Sequence, residues 1–379
     1  MSYEPKILGI LGGGQLGRMT AMAAARLGIR CIIYCPEQDS PASQVAAGCF
    51  IAEYDDKQSL AAFAERVDAI TYEFENIPVE TIRFLQKLKP VCPDDRILEV
   101  AQHRIREKKF LNDIGIATTR WAEVKKPAEI EKIAQEWNAK ALILKTCRFG
   151  YDGKGQIKWH TGDDSKVCWK ELNSDEIIAE EIIDFTCEIS VIIARDKLGQ
   201  MAHYGPVLNQ HKNGILAQST APAPIPAELA DKAITMTRLL AEAVDLVGVL
   251  ALELFVTKDG QILANEIAPR PHNSGHWSID ACAVSQFEQQ ARTVCGMTVG
   301  IPAQHSEAIM LNLIGSDVKK LAKYYEMKNA CVHLYGKHDI KEGRKMGHVT
   351  ILKDKNAVEE KKDDNDKTGK SSTLIRHAG

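Results

Sequence analysis

Two acidic residues on either side of a turn carry the first chemical signal in this chain. Glu253 and Glu266 lie within the stretch Leu250–His276. Residues 249–257 and 261–268 are rich in Val, Leu, Phe and Ile and read as two strands. Asp259-Gly260 between them is the signal for a two-residue hairpin turn, whose central positions need positive φ. If Lys258 faces Gln261, Glu253 falls directly opposite Glu266. Cross-strand neighbours have Cβ atoms roughly 5 Å apart, and like charges placed there repel. Two carboxylates aimed at one point need a cation or a shared proton between them. Mg²⁺ takes oxygen ligands, commonly one or two carboxylates plus substrate phosphates, so the pair suggests a Mg²⁺-phosphate site. A slipped register would instead leave one Glu in water.

The elements that must position this pair come from a chain of 379 residues, long enough for two or three domains. It is 45% hydrophobic and 26% charged, with a net charge of −3. Such a composition fits an ordinary soluble globular protein and gives no reason to expect nucleic acid or an anionic membrane as partner. No apolar run approaches the length of a membrane span, and the N-terminus lacks a signal-peptide pattern. The ten cysteines contain no C-x-x-C pair. They read as free thiols of a reducing cytosol, and their spacing disfavours zinc.

From the N-terminus, strands alternate with helices. Lys6–Leu11, Arg30–Cys35, Cys49–Ala52, Ala69–Tyr72 and Pro90–Cys92 read as strands of a doubly wound parallel sheet. Gly12, Gly14 and Gly17 fit G-x-G-x-x-G between a strand and a helix, and Glu37 lies 20 residues beyond Gly17. A nicotinamide-dependent oxidoreductase is therefore a rival reading of this segment. The same turn can hold another ligand's phosphate on backbone N–H groups. The rim of the sheet would then carry Gln15, Leu16 and the loop Glu73–Asn76. A helix is expected from Arg96 to Ile114, capped by Asp94 or Asp95, with Ile97, Ala101, Ile105, Lys108 and Leu111 on one stripe. Arg104 beside that stripe reads, alone, as a solvated charge.

Further on, strand Ala141–Lys145 ends in a lysine and is followed by the glycine-rich loop 149–155 and a strand Gln156–Trp159. Small residues allow close backbone approach and Lys145 supplies a point charge, a combination suited to polyphosphate. It is not a P-loop, because a strand follows where a helix is required. Glu180 and Glu181 end a strand at 177–182, Glu188 lies among apolar residues of Thr186–Ala194, and His211 falls in a polar turn at 209–214. Taken singly, the acidic pair and the histidine read as solvated surface groups.

Together these stretches resemble the ATP-grasp ligases, and more narrowly the N5-carboxyaminoimidazole ribonucleotide synthetases. The resemblance rests on GGGQLGRM at 12–19, YEFENIP at 72–78, FGYDGKGQ at 149–156, DFTCEIS at 184–190, HKNGILAQSTAPAP at 211–224, NEIAPRPHNSGHWSIDA at 265–281, LIGSD at 313–317 and GRKMGH at 343–348. It implies an ATP-grasp fold with an N-terminal Rossmann-like domain (1–115), an ATP-grasp domain (116–290) with a mobile lid at about 118–183, and a small β-rich C-terminal domain (291–354). It also implies that ATP is bound by Arg104, Lys145, the loop Gly150, Tyr151, Asp152, Gly153, Lys154, Gly155 and Gln156, then Glu180, Glu181, Ile182, Ile183, Glu188, His211, Asn265 and Glu266. Mg²⁺, or Mn²⁺ in its place, would sit on Glu253 and Glu266. Gln15, Glu73, Asn273, Ser274, Lys337, Arg344 and Lys345 would surround the ribonucleotide. Tyr151, Asp152, Lys145 and Arg270 would serve the chemistry.

The implied reaction carboxylates 5-aminoimidazole ribonucleotide with ATP and bicarbonate, through carboxyphosphate, in purine biosynthesis. A cytoplasmic homodimer that passes its product to a separate mutase is expected on the same ground. A sibling of the same fold, the formate-using glycinamide ribonucleotide transformylase, is the alternative within the superfamily. After Leu352 the chain turns polar and mixed in charge, so disorder is expected over 355–379, and there the resemblance ends.

Overall fold

A computed structural model describes residues 6–150 and 154–353. The first sheet is parallel, in the order β3-β2-β1-β4: β1 (Ile7–Leu11), β2 (Arg30–Cys35), β3 (Gly48–Ile51) and β4 (Ala69–Tyr72). Helix α1 (Gln15–Arg26) follows β1, α2 (Lys57–Glu65) follows β3 and α3 (Val79–Gln86) follows β4. The chain leaves β1 toward β2 on one side, and β4 lies on the other. That reversal opens a crevice at the carboxyl ends of β1 and β4. The expected fifth strand at Pro90–Cys92 contributes only an isolated parallel bridge between Ile70 and Val91.

The single helix expected from Arg96 to Ile114 is two: α4 (Asp95–Ala101), capped by the Asp94 side chain, and α5 (Arg104–Asp113). The break falls at Gln102 and His103, whose groups have other partners. Gln102 Nε2 donates to the carbonyls of Glu75 and Ile77, and His103 Nε2 lies 3.0 Å from Glu176 Oε2. The break puts Arg104 at a helix N-terminus, its own N–H donating to the Cys147 carbonyl.

The second sheet, in the order β5-β8-β6-β7, is a small unit: β5 (Trp121–Val124), β6 (Ala141–Thr146), β7 (Gln156–His160) and β8 (Ile177–Glu181). Helices α6 (Ala128–Trp137) and α7 (Ser165–Leu172) pack against it. It has its own core of Val124, Ile130, Leu142, Leu144, Trp159, Leu172 and Ile177.

The third sheet has eight strands, in the order β13-β12-β9-β10-β11-β14-β16-β15. They are β9 (Phe185–Arg195), β10 (Met201–Lys212), β11 (Ile215–Ala221), β12 (Gly248–Thr257), β13 (Ile262–Ala268), β14 (Glu307–Ile314), β15 (Ala330–Leu334) and β16 (Lys345–Lys353). Helix α8 (Ala227–Ala243) covers β9, β12 and β13 with α4 and α5, burying Leu240, Leu252 and Ile267. The strands after residue 291 do not make a sheet of their own. β14 pairs with β11, so the C-terminal strands extend the central sheet.

Glu253 does pair with Glu266, but not through the turn expected. Near the turn Val256 faces Ile262 and Leu254 faces Ala264. The Thr257 N–H donates to the Gln261 carbonyl, enclosing Lys258-Asp259-Gly260, of which only Gly260 has positive φ. The loop is thus one residue longer than a two-residue turn. An irregularity at Asn265 then shifts the register back by one, restoring the Glu253–Glu266 pair. Two one-residue departures cancel.

Leu252 is fully buried beside this pair. Leu252→Ala is expected to cost about 3 kcal/mol in unfolding free energy, measured by urea denaturation.

Candidate active site

The hairpin gathers oxygen donors on one spot. Glu266 lies opposite Glu253, and Asn265, next to Glu266 in the chain, is the unpaired residue at the register shift. The Glu253 Oε1 is 3.0 Å from His272 Nε2, and Glu266 Oε2 is 3.4 Å from the Arg104 guanidinium. Burial alone would raise the Glu253 carboxyl, but the His272 hydrogen bond and charge hold it well below the usual range. Asn265 Oδ1 is buried and makes no protein hydrogen bond. Two carboxylates and an unsatisfied amide oxygen form a hard-oxygen set that fits a divalent cation of the Mg²⁺ type.

A second row lies across from the hairpin. Lys145, on β6, places its ammonium 2.6 Å from Glu180 Oε2 on β8. Glu180 is also 3.7 Å from Lys108. Burial opposes the charge on Glu180, yet the two ammonium groups bring its carboxyl down to about 2. Glu181, Ile182 and Ile183 form the connector from the small sheet to β9, and the Glu181 N–H donates to the Arg120 carbonyl. His211 is not in a turn. It lies in β10 at a register shift, and its Nδ1 is 2.9 Å from Glu188 Oε2 on β9. Burial opposes protonation of His211, but Glu188 outweighs it and raises the imidazolium pKa.

The glycine loop closes this row. Gly150 lies so near Arg104 that a Cβ there would sit 3.3 Å from Nη2, and one on Gly155, at φ +71°, would sit 2.7 Å from Thr146 Oγ1. Lys154 reaches a neighbouring cleft, and Gln156 begins β7. Tyr151, Asp152 and Gly153 lie outside the described residues.

That cleft has a volume of about 650 Å³ and receives Gln15, Glu73, Arg270, Asn273, Lys337, Arg344 and Lys345 from three parts of the chain. Its cations come mainly from the turn before β16. Lys337 Nζ donates to Gln15 Oε1 at 2.9 Å and to the Lys345 carbonyl at 2.8 Å. Arg270 is clamped by Glu75, with Nη2 2.8 Å from Oε1. Ser274 is different. It is fully buried, and its hydroxyl bonds to Ser190 Oγ and His272 Nδ1, so it does not line the cleft. It supports the imidazole that faces Glu253.

Glu73 has an unexpected position. Its carboxylate accepts hydrogen bonds from the backbone N–H groups of Gly14 and Gly17, at the N-terminus of α1. A Cβ on Gly12 would lie 2.4 Å from Glu73 Cγ, and one on Gly14 would lie 2.5 Å from Oε1. The glycines thus make room for an internal carboxylate in the place where a dinucleotide-binding turn receives pyrophosphate. The oxidoreductase reading loses its anion site to the protein itself.

Four residues beyond the sequence-derived set belong here: Glu75, Glu107, Lys108 and His272. Lys108 had a visible signal, a lysine on an apolar helical stripe. Glu75 and His272 stand in the motifs but look like any surface charge until folded. Because Glu180 has a depressed pKa, it contributes stability above pH 4.5 that is lost as pH falls toward about 2. The stability advantage of the native chain over Glu180→Gln is expected to shrink across that window in urea unfolding at stepped pH.

Comparison with known proteins agrees with this geometry. Residues 5–102 match a ribonucleotide synthetase preATP-grasp domain, 109–287 an ATP-grasp domain, and 308–362 a phosphoribosylaminoimidazole carboxylase C-terminal domain. An N5-carboxyaminoimidazole ribonucleotide synthase of Brucella melitensis is 47% identical over 348 residues, covering 91% of this chain and 96% of its own. A solved N5-carboxyaminoimidazole ribonucleotide synthetase in complex with ADP superposes with a TM-score of 0.89 at 38% identity, over 96% of this chain and 97% of that one. The Aspergillus clavatus synthase, solved with ADP and 5-aminoimidazole ribonucleotide, gives 0.86 at 28% identity, over 92% of this chain and 94% of that one. Sheet topology, carboxylate hairpin and end-to-end similarity lead to one conclusion: the chain belongs to the N5-carboxyaminoimidazole ribonucleotide synthase family of ATP-grasp ligases.

Proposed function

We propose that this chain carboxylates 5-aminoimidazole ribonucleotide at the expense of ATP, with bicarbonate as the carbon source. The observation that carries the reading is the oxygen set Glu253, Asn265 and Glu266 beside a glycine-rich loop and a cation-lined cleft. An oxygen-lined metal suits a nucleoside triphosphate, and a cationic cleft suits a phosphorylated sugar.

The residues divide by task. Glu253 and Glu266 hold Mg²⁺, and Mn²⁺ is accepted in its place. When bound, the metal neutralises phosphate charge. Arg104, Lys145 and the loop 150–156 position the triphosphate. Glu180 with the connector Glu181–Ile183, and the Glu188–His211 pair, take the nucleoside end. Phosphoryl transfer asks little covalent chemistry of a protein, so positioning and charge dominate. Bicarbonate oxygen attacks the γ-phosphorus and the bond to ADP breaks. The resulting carboxyphosphate, or CO₂ released from it, is captured by the exocyclic amine of the ribonucleotide. Phosphate leaves and the amine gives up a proton.

Lys337, Arg344 and Lys345 receive the ribonucleotide phosphate, with Gln15 and Asn273 on the same cleft. Arg270 lines the same cleft as Lys154 of the glycine loop, and Tyr151 and Asp152 are given the step at which the γ-phosphate meets the second substrate. Glu73 shapes the cleft by occupying the glycine turn. Carboxyphosphate hydrolyses readily, so water must be kept out. The small sheet with its own core suits a lid moving as one body on its connector. The reading extends to a cytoplasmic homodimer whose product passes to a separate mutase.

The deciding experiment is ADP release from Mg-ATP and bicarbonate, with and without 5-aminoimidazole ribonucleotide. Strong bicarbonate-dependent stimulation by that nucleotide is expected. Stimulation by glycinamide ribonucleotide and formate instead would move the activity to the sibling enzyme. Changing a residue behind a metal ligand typically costs 10- to 100-fold, so losing a ligand should cost at least about a hundredfold. Glu266→Gln is accordingly expected to abolish ADP release while circular dichroism and the thermal midpoint stay near native. Unchanged turnover would remove Glu266 from the metal site.

A further inference from the structure

β13 is the edge of the eight-stranded sheet, and among the described residues its outer side meets only an isolated parallel bridge, between Thr118 and Ala264. The groups around Asn265 are nevertheless bonded. The Ala264 N–H donates to the Ala117 carbonyl. Lys108 Nζ donates to the carbonyls of Ala264 at 3.3 Å and Asn265 at 3.1 Å. Glu107 Oε1 accepts from the Ile267 N–H at 2.6 Å. Two side chains of α5 thus act as the missing strand, on either side of Glu266.

Both are buried, Glu107 at 1% exposure and Lys108 at 0%. Arg104, one helical turn before them, reaches the Glu266 carboxylate itself. Residues at i, i+3 and i+4 share a helix face. That face therefore holds Glu266 by its side chain and by the backbone before and after it. Lys108 also lies 3.7 Å from Glu180 and 3.3 Å from Thr119 Oγ1. The same ammonium touches the strand of the metal carboxylates and the acid opposite Lys145.

We propose that Glu107 and Lys108 are positioning residues for the metal-binding pair: they fix the shifted backbone at 264–267 so that Glu266 stays opposite Glu253 with Asn265 beside it, and so set the affinity for the divalent cation. This rests on the metal reading above. An edge strand free to regularise its register would present one donor fewer to the cation. Lys108→Met would keep the volume and leave two carbonyls unpaired. Glu107→Leu would leave the Ile267 N–H unpaired, whereas Glu107→Gln keeps an oxygen acceptor.

The test is the Mg²⁺ dependence of ADP release at fixed ATP, bicarbonate and 5-aminoimidazole ribonucleotide, paired with Mn²⁺ binding to the ADP complex by electron paramagnetic resonance. Partners behind metal ligands typically tune affinity by 10- to 100-fold, so Lys108→Met and Glu107→Leu are expected to raise the half-saturating Mg²⁺ and the Mn²⁺ dissociation constant about tenfold. The KM for the ribonucleotide should stay near native, and Glu107→Gln should shift the metal requirement less than Glu107→Leu. Folded variants with native metal affinity, whatever their thermal midpoint or kcat, would overturn the proposal. If Lys108→Met does not fold, the two Glu107 variants decide. A native enzyme whose turnover ignores Mg²⁺ would instead refute the metal reading itself.

Discussion

Glu253 and Glu266 are held face to face across adjacent strands, and that forced like-charge pairing sets the terms for their surroundings. Cross-strand partners have Cβ atoms roughly 5 Å apart, close enough for like charges to repel. A pair left to itself would relieve this by protonation or by slipping register. The structure does neither. The His272 hydrogen bond lowers the pKa of the Glu253 carboxyl, Arg104 stands against Glu266, and the core of β9, β12 and β13 under α8 resists a slip. What remains is a concentration of negative charge and oxygen lone pairs whose natural complement is a divalent cation.

The cationic half of the site faces the opposite problem, assembling like positive charges without mutual repulsion. The fold spreads them over separate elements and gives many a local acceptor. Arg270 rests on Glu75, Lys337 on Gln15 and the Lys345 carbonyl, and Lys145 on Glu180. Charge-assisted bonds of this kind orient the side chains before any phosphate arrives. The continuous sheet matters here. Because β14, β15 and β16 extend the sheet that carries the carboxylate hairpin, the basic turn ahead of β16 and the carboxylates share one framework.

The N-terminal domain shows how a familiar motif can be put to other use. The glycine turn and the N-terminus of α1 offer anion-binding N–H groups, and Glu73 accepts from two of them. Burial raises the Glu73 carboxyl even with those donors in place. The anion site becomes a joint between β4 and α1, and the nearby surface, with Gln15, is left to form one wall of the cleft.

Much of this was legible in the residues. Alternating apolar periods marked the parallel sheet, the motifs marked the ATP-grasp fold, and the two glutamates marked the hairpin face, because strand side chains alternate with a period of two. The loop of Gly150 and Gly155 with Lys145 was legible for the same local reason: small residues and a nearby charge leave a short-range signature. The tertiary structure decided the rest. It lengthened the turn and compensated at Asn265, since a register shift depends on what holds the strand edge, and here that is a helix about 160 residues away in the chain. It split the helix at His103, buried Ser274 and moved His211 into a strand, because each of these has its partners in another element. It also turned Glu73 inward and Lys108 from an odd residue on an apolar stripe into a clamp. Sequence patterns report local geometry and the faces of elements; which buried charge meets which backbone group is settled only when those elements pack.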